Sequence, residues 1–142
     1  MSPPRTPSPS PRPDERPPAA WVGDIVSDGS IRTLFQPIAD SRSGIVMGYE
    51  SLSRGPKSHP LEGAEPLFTA AREADLSAEL DVICVTTAVT SFAALRARGR
   101  IFINLTPAGL LELARAPGQL ARILERAGIS PGRVVFEITE QA

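Results

Sequence analysis

Histidine and cysteine are almost absent from this chain: among 142 residues only His59 and Cys84 occur. One imidazole excludes a multi-histidine zinc site, and its place in a polar loop (KSHPLEGAEP) argues against a histidine-based catalytic triad. One thiol excludes an internal disulfide. Cys84 lies in an apolar helical pattern, where it reads as a small core hydrophobe in a reducing compartment. An excess of either charge is also missing. Fifteen Lys and Arg face sixteen Asp and Glu, for a net charge of −1 and a pI of about 5.8. No basic footprint for DNA or RNA follows from that balance. No run of 18 apolar residues occurs, so no membrane segment is expected. The longest candidate, Val82 to Leu95, is diluted by Thr and Ser and begins beside Asp81. The N-terminus lacks an apolar stretch of signal-peptide type. The chain therefore reads as soluble and cytoplasmic. G-x-S-x-G, P-loop and G-x-G-x-x-G elements are absent as well.

Proline, in contrast, is plentiful, with 15 residues. Residues 1–20 are rich in Ser, Pro and Arg. Proline removes backbone donors and fixes φ, and little apolar surface is available there to offset ordering. The expectation is a disordered, partly polyproline-II tail acting as a linker. From Trp21 the composition changes, and residues 21–142 read as one domain.

Within that domain Arg32 to Ala39 and Ile45 to Leu52 look like strands. The turn-rich Asp40 to Gly44 between them suits an antiparallel hairpin. Leu67, Phe68 and Ala71 form a short helical stripe. A longer one follows: Leu80, Ile83, Cys84, Thr87, Ala88, Ser91, Phe92 and Leu95, the spacing of one buried helix face. Gly99 is placed to cap its C-terminus. Arg96, Arg98 and Arg100 cluster there, where cations complement the helix dipole. Ile101 to Leu105 is a third strand, Thr106-Pro107 a helix start. Leu120, Ile123, Leu124 and Ala127 mark another helix, stopped by Gly128. Arg133 to Thr139 is the fourth strand. The last two strands are nearly continuous apolar runs separated by a helix, the pattern of a parallel sheet buried on both faces.

Three polar residues interrupt these strands near their C-terminal ends: Glu50, Asn104 and Glu137. Side chains alternate along a strand, so Glu137 shares a face with Val135 and Thr139. An unpaired buried carboxylate is costly and needs a cation or donors. In a parallel α/β barrel that end of the strands carries the chemistry. Two carboxylates and an amide oxygen are hard donors, suited to Mg²⁺ or Mn²⁺. For Asn104 a second reading stays open, a backbone hydrogen bond at the strand-to-helix turn. An isolated Glu at a strand end also reads as a solvent-facing residue.

Taken together the motifs resemble the EAL domain. Phe35-Gln36-Pro37-Ile38 resembles its opening strand. Gly48 to Arg54 (GYESLSR) is similar to the signature G-[aromatic]-E-A-L-x-R, with Ser51 for Ala. Phe102 to Pro107 (FINLTP) is similar to the N-L-S segment, with Thr106 for Ser. Phe136 to Glu140 (FEITE) is similar to the E-[apolar]-T-E segment. The resemblance runs from about Leu34 to the C-terminus. It implies an α/β fold, a TIM-like (β/α)₈ barrel whose first strand is antiparallel to the rest. It implies hydrolysis of cyclic di-GMP to pGpG on two divalent ions, Mg²⁺ or Mn²⁺, which activate a water and stabilise the leaving oxygen. Glu50, Asn104 and Glu137 would be the metal ligands. Arg54 would contact a phosphate oxygen, Gln36 and Leu52 would line the nucleotide site, and Glu140 would brace a neighbouring loop. Pairing as a homodimer through the same domain is a further implication.

A (β/α)₈ barrel takes roughly 250 residues, and four strands are recognisable in these 142. The family's second half carries an Asp-Asp pair, a Lys, a further Glu and a Gln that have no counterpart here. The expectation is about half of the barrel, with hydrolysis incomplete in this polypeptide alone. The alternative is a non-catalytic module that binds cyclic di-GMP or a protein partner.

Overall fold

The computed structural model describes residues 15–139. Most of the stretch expected to be a disordered tail, and Glu140, lie outside the described residues. A helix α1 (Pro18–Asp28) starts inside that stretch, three residues before the expected boundary. Its first position is Pro18, where the missing N–H belongs to a turn that has no intrahelical acceptor anyway. Proline thus opens a helix here rather than preventing one. Val22 and Ile25 of α1 are buried.

After α1 come β1 (Arg32–Ala39), β2 (Val46–Arg54), α2 (Ala64–Glu73) and α3 (Ser77–Leu95). Then follow β3 (Arg100–Leu105), α4 (Pro107–Arg115), α5 (Pro117–Ala127), a 3₁₀ turn at Pro131–Arg133 and β4 (Val134–Ile138). The strands form one sheet in the order β1-β2-β3-β4. β1 and β2 pair antiparallel as the hairpin expected from their turn. The Asp40 carboxylate builds that turn by accepting from the backbone N–H groups of Arg42 and Ser43, each at 2.8 Å. Those bonds hold its pKa below the ordinary range. β2–β3 and β3–β4 pair in parallel through helical crossovers. The mixed sheet with an antiparallel first strand agrees with the expected partial barrel.

The apolar runs had implied a sheet covered on both sides; among the described residues only one face is packed. Ile101, Ile103 and Leu105 are buried, and they pack with Val85, Val89 and Phe92 of α3. Alternate residues turn to the other face. There Leu34 and Gln36 are exposed, and Phe102, Asn104 and Val135 are only half-buried. Glu137 is therefore an exposed carboxylate, not one sunk in a core. A second core joins Val22 and Ile25 with Leu61, Leu67, Ala71, Leu80 and Cys84.

The end of α3 differs from expectation. Arg96, with φ of 51°, caps the helix, its N–H bonded to Ala93 O. Of the clustered arginines Arg96 alone stands at the helix end. Gly99 lies three residues later at φ of 90°, and a Cβ there would stand 2.3 Å from Met47 O. Its role is close approach of the β3 entry to β2. Gly128 does end α5, in the left-handed conformation. Leu95, at the edge of the expected stripe, is 60% exposed, whereas Asp81, Val85 and Val89 are buried. At 19 residues α3 has the length and mean hydropathy (1.5) of a membrane span. Its burial under the sheet and helices marks it as the core helix of this fold.

Candidate functional site

A cleft of about 610 Å³ opens at the C-terminal ends of β2 and β3, bounded by α2 and by the start of α4. Parallel strands deliver it there. Each crossover leaves the strand's C-terminal end, so β3 hands over to α4 at Thr106. Leu52, Arg54, Phe68, Arg72, Asp81, Asn104 and Thr106 are among its lining residues. Apolar surface from Leu52 and Phe68 thus sits beside the guanidinium groups of Arg54 and Arg72.

The three residues singled out as oxygen donors share one sheet face. Asn104 Nδ2 donates to Glu50 Oε1 at 3.0 Å. Glu137 pairs in register with Asn104 on the neighbouring strand. The open alternative for Asn104, a backbone bond at the turn, is not what forms; its amide bonds the Glu50 carboxylate. That bond turns the amide N–H group to Glu50 and leaves the amide oxygen, a hydrogen-bond acceptor, as the atom able to ligate a cation. Carboxylate, amide oxygen and carboxylate then lie across three adjacent strands. This donor set fits a hard divalent cation, although among the described residues no three His, Cys, Asp or Glu side chains cluster as ligands.

Gln36 is exposed and stands directly opposite Glu50 in the β1–β2 register, outside the cleft lining. Leu52 and Arg54 do line it. Arg54 Nη1 donates to the carbonyl of Ser53 at 2.8 Å, and no carboxylate pairs with this arginine among the described residues. Ser51, which stands where the signature has Ala, is 4% exposed and donates its hydroxyl to Phe102 O at 3.1 Å. The extra oxygen is satisfied across the β2–β3 pair, so the replacement is accommodated. His59 is not simply a solvated loop residue. Its Nδ1 accepts from Leu61 N at 3.0 Å, and Trp21 meets its ring edge-on at 5.8 Å.

Sequence reasoning passed over Asp81, a carboxylate only 1% exposed on α3 that lines the cleft. A signal was present: Asp81 falls four and seven residues before Val85 and Ala88, on the buried helix face. Burial raises its pKa, while hydrogen bonds from Thr106 act the other way. Beside it, burial pushes the Cys84 thiol up to about 12, against a bond from Ser53, with the Asp81 charge adding to the rise. That thiol is a packing group, not a nucleophile. Arg72 also went unremarked; one arginine in a last helical turn carries no distinguishing pattern.

Residues 20–142 match the EAL domain family. An uncharacterized signaling protein of Caulobacter vibrioides is 32% identical over 120 residues, which cover 82% of this chain and 14% of that protein. The FimX EAL domain from Pseudomonas aeruginosa, solved bound to cyclic di-GMP, is 25% identical with a TM-score of 0.70, over 85% of this chain and 49% of that one. Klebsiella pneumoniae BlrP1, solved with manganese and cyclic di-GMP, is 26% identical with a TM-score of 0.67, over 78% of this chain and 28% of that one. The chain spans half or less of the length of these relatives. With the motif order, the sheet with its antiparallel first strand, and a match over most of its length, this chain belongs to the EAL domain family.

Proposed function

We propose that the cleft binds cyclic di-GMP and that Glu50, Asn104 and Glu137 hold a divalent cation, Mg²⁺ or Mn²⁺, as one half of a phosphodiesterase site. The observation that carries this reading is the 3.0 Å bond from Asn104 to Glu50, with Glu137 in register beside them. Support comes from relatives: FimX has been solved with cyclic di-GMP and BlrP1 with manganese and cyclic di-GMP. When bound, such an ion polarises a phosphoryl oxygen and lowers the pKa of a coordinated water. The chain's own residues do the positioning. Asn104 fixes the rotamer of Glu50. Arg54 offers its free guanidinium donors to a phosphate oxygen, a charge-assisted contact. Leu52 supplies apolar surface for a base, and Gln36 stands across the hairpin from Glu50.

A second reading is nucleotide binding without hydrolysis. It is favoured by the make-up of the cleft, in which Leu52 and Phe68 lie beside Arg54 and Arg72. Apolar faces and cations suffice to hold a dinucleotide without a metal.

Calorimetric titration of cyclic di-GMP, with and without Mn²⁺, combined with chromatographic detection of pGpG, separates the readings. Arg54→Ala is expected to weaken binding about 10- to 100-fold, since a hydrogen bond to a charged group contributes about 1.5–3 kcal/mol. Under the phosphodiesterase-site reading Mn²⁺ tightens binding, and Glu50→Ala abolishes that gain. Binding indifferent to Mn²⁺ and to Glu50→Ala selects the second reading. No binding under either condition rejects both.

A further inference from the structure

The β3–α4 turn is held by more than a helix cap requires. Thr106 caps α4, its Oγ1 accepting from Gly109 N at 3.1 Å. One such bond is the usual complement of an N-cap. Here the same hydroxyl also donates to Asp81 Oδ2, and Thr106 N donates to that oxygen at 3.0 Å. Asp81 lies on α3, 25 residues earlier in the chain. Burying a carboxylate works against stability, and capping alone gives no reason for it. The neighbourhood is shaped around this side chain. A Cβ at Gly109 would stand 2.2 Å from Asp81 Oδ2, so only glycine fits. One residue before the turn, Leu105 O accepts from Thr139 N at 3.0 Å, which ties in the end of β4. Asn104 is the next residue back, and it aims its amide at Glu50.

We propose that Asp81 is a positioning residue: by locking Thr106 it fixes where β3 ends and so aims Asn104 at Glu50. The Thr106 hydroxyl both donates and accepts, which leaves it a single rotamer. The N–H that would otherwise be unpaired at the strand end is bonded to the core helix. The last two residues of β3 therefore cannot rotate independently of α3. This inference rests on the functional reading of Asn104 for its consequence, but the geometric claim stands on the protein without ligand.

The test uses the ligand-free chain. Side-chain amide resonances of Asn104 are assigned by NMR, with Glu50→Ala, which removes the acceptor, identifying the shift that reports the Asn104–Glu50 bond. Asp81→Ala is expected to move that resonance toward the unbonded position and to speed exchange of the amide protons about tenfold or more. Asp81→Asn, whose amide oxygen can take both Thr106 bonds, is expected to restore the wild-type signal. Ile25→Ala, which destabilises the second core, a cluster without residues of β3 or α4, is expected to leave it unchanged; if both it and Asp81→Ala shift Asn104 alike, the effect is general loosening and the proposal fails. If Asp81→Ala does not fold, Thr106→Val replaces it, because it removes the hydroxyl and keeps the N–H. Folded Asp81→Ala, or folded Thr106→Val in its place, with an unmoved Asn104 resonance also overturns the proposal. Mn²⁺ titration of the same variants then reads function separately: an Asn104 shift with no change in Mn²⁺ affinity upholds the clamp and counts against the metal reading alone.

Discussion

Glu50 and Asn104 are 54 positions apart, yet their side chains share one hydrogen bond. Replacing the amide by a carboxylate there sets two like charges against each other, which raises one pKa and destabilises the pair. Asn104→Asp is therefore expected to lower the Tm at pH 7 in chelator by about 2–8 °C, the shift that roughly 1 kcal/mol produces in a domain of this size. Mn²⁺ should restore more of the Tm in this variant than it adds to the wild type, which differential scanning fluorimetry would show. Asp81 yields a pH prediction. Burial raises its pKa, so the folded state keeps the proton to higher pH than the unfolded chain does. Its stabilising contribution is present below the ordinary value of 3.8 and is lost as pH rises through the raised one. The Tm of Asp81→Asn minus that of the wild type is thus expected to increase between about pH 4 and pH 7. A difference that falls over that range would contradict the burial account. Glu50, Asn104 and Glu137 were legible in the sequence as polar residues on apolar strands. Asp81 was less so, because an acid in a helix reads as solvent-facing unless its place on the buried stripe is counted.

At the level of elements, α3 is the beam on which the sheet rests. Phe92 is 1% exposed and meets Phe35 at 5.9 Å and Tyr49 at 6.0 Å, with the Arg133 guanidinium 5.2 Å from its ring centre. Phe92→Ala removes contacts to β1, β2 and the entry to β4 at once and is expected to cost about 3–5 kcal/mol in chemical denaturation. Gly99→Ala is expected to cost roughly 1–3 kcal/mol, because alanine must take a φ of 90° with its Cβ against the Met47 carbonyl. The four strands could be read from apolar runs and turn residues, and their place in one sheet from the barrel that the family resemblance implies. The cap of α3 could not. Arg96 in a left-handed conformation is a rare choice for a long side chain, and Gly99 three residues on was the better sequence candidate. The start of α1 was hidden for a related reason: prolines dominate the local composition, and their tolerance at a first helical turn depends on position alone.

For the molecule as a whole, the two faces of the sheet have opposite fates among the described residues. One is sealed by α3 and its neighbours; the other carries Glu50 and Asn104 and leaves Leu34 48% exposed. Leu34→Glu is expected to change stability by less than about 0.5 kcal/mol, as surface substitutions do, and to reduce binding of an apolar dye to this face. A large loss of stability would show that Leu34 is covered in solution. The sequence by itself determined the family, the alternation of strands and helices, and the residue types able to hold a cation. Those are local properties, set by side-chain period, turn chemistry and the order of short motifs. Tertiary structure decided the rest: which sheet face stays open, that Asn104 bonds Glu50 and not the backbone, and that Asp81 sits under the β3–α4 turn. Each depends on parallel strands and a crossover helix bringing residues 25 to 54 positions apart into hydrogen-bonding distance, a proximity that no local pattern encodes.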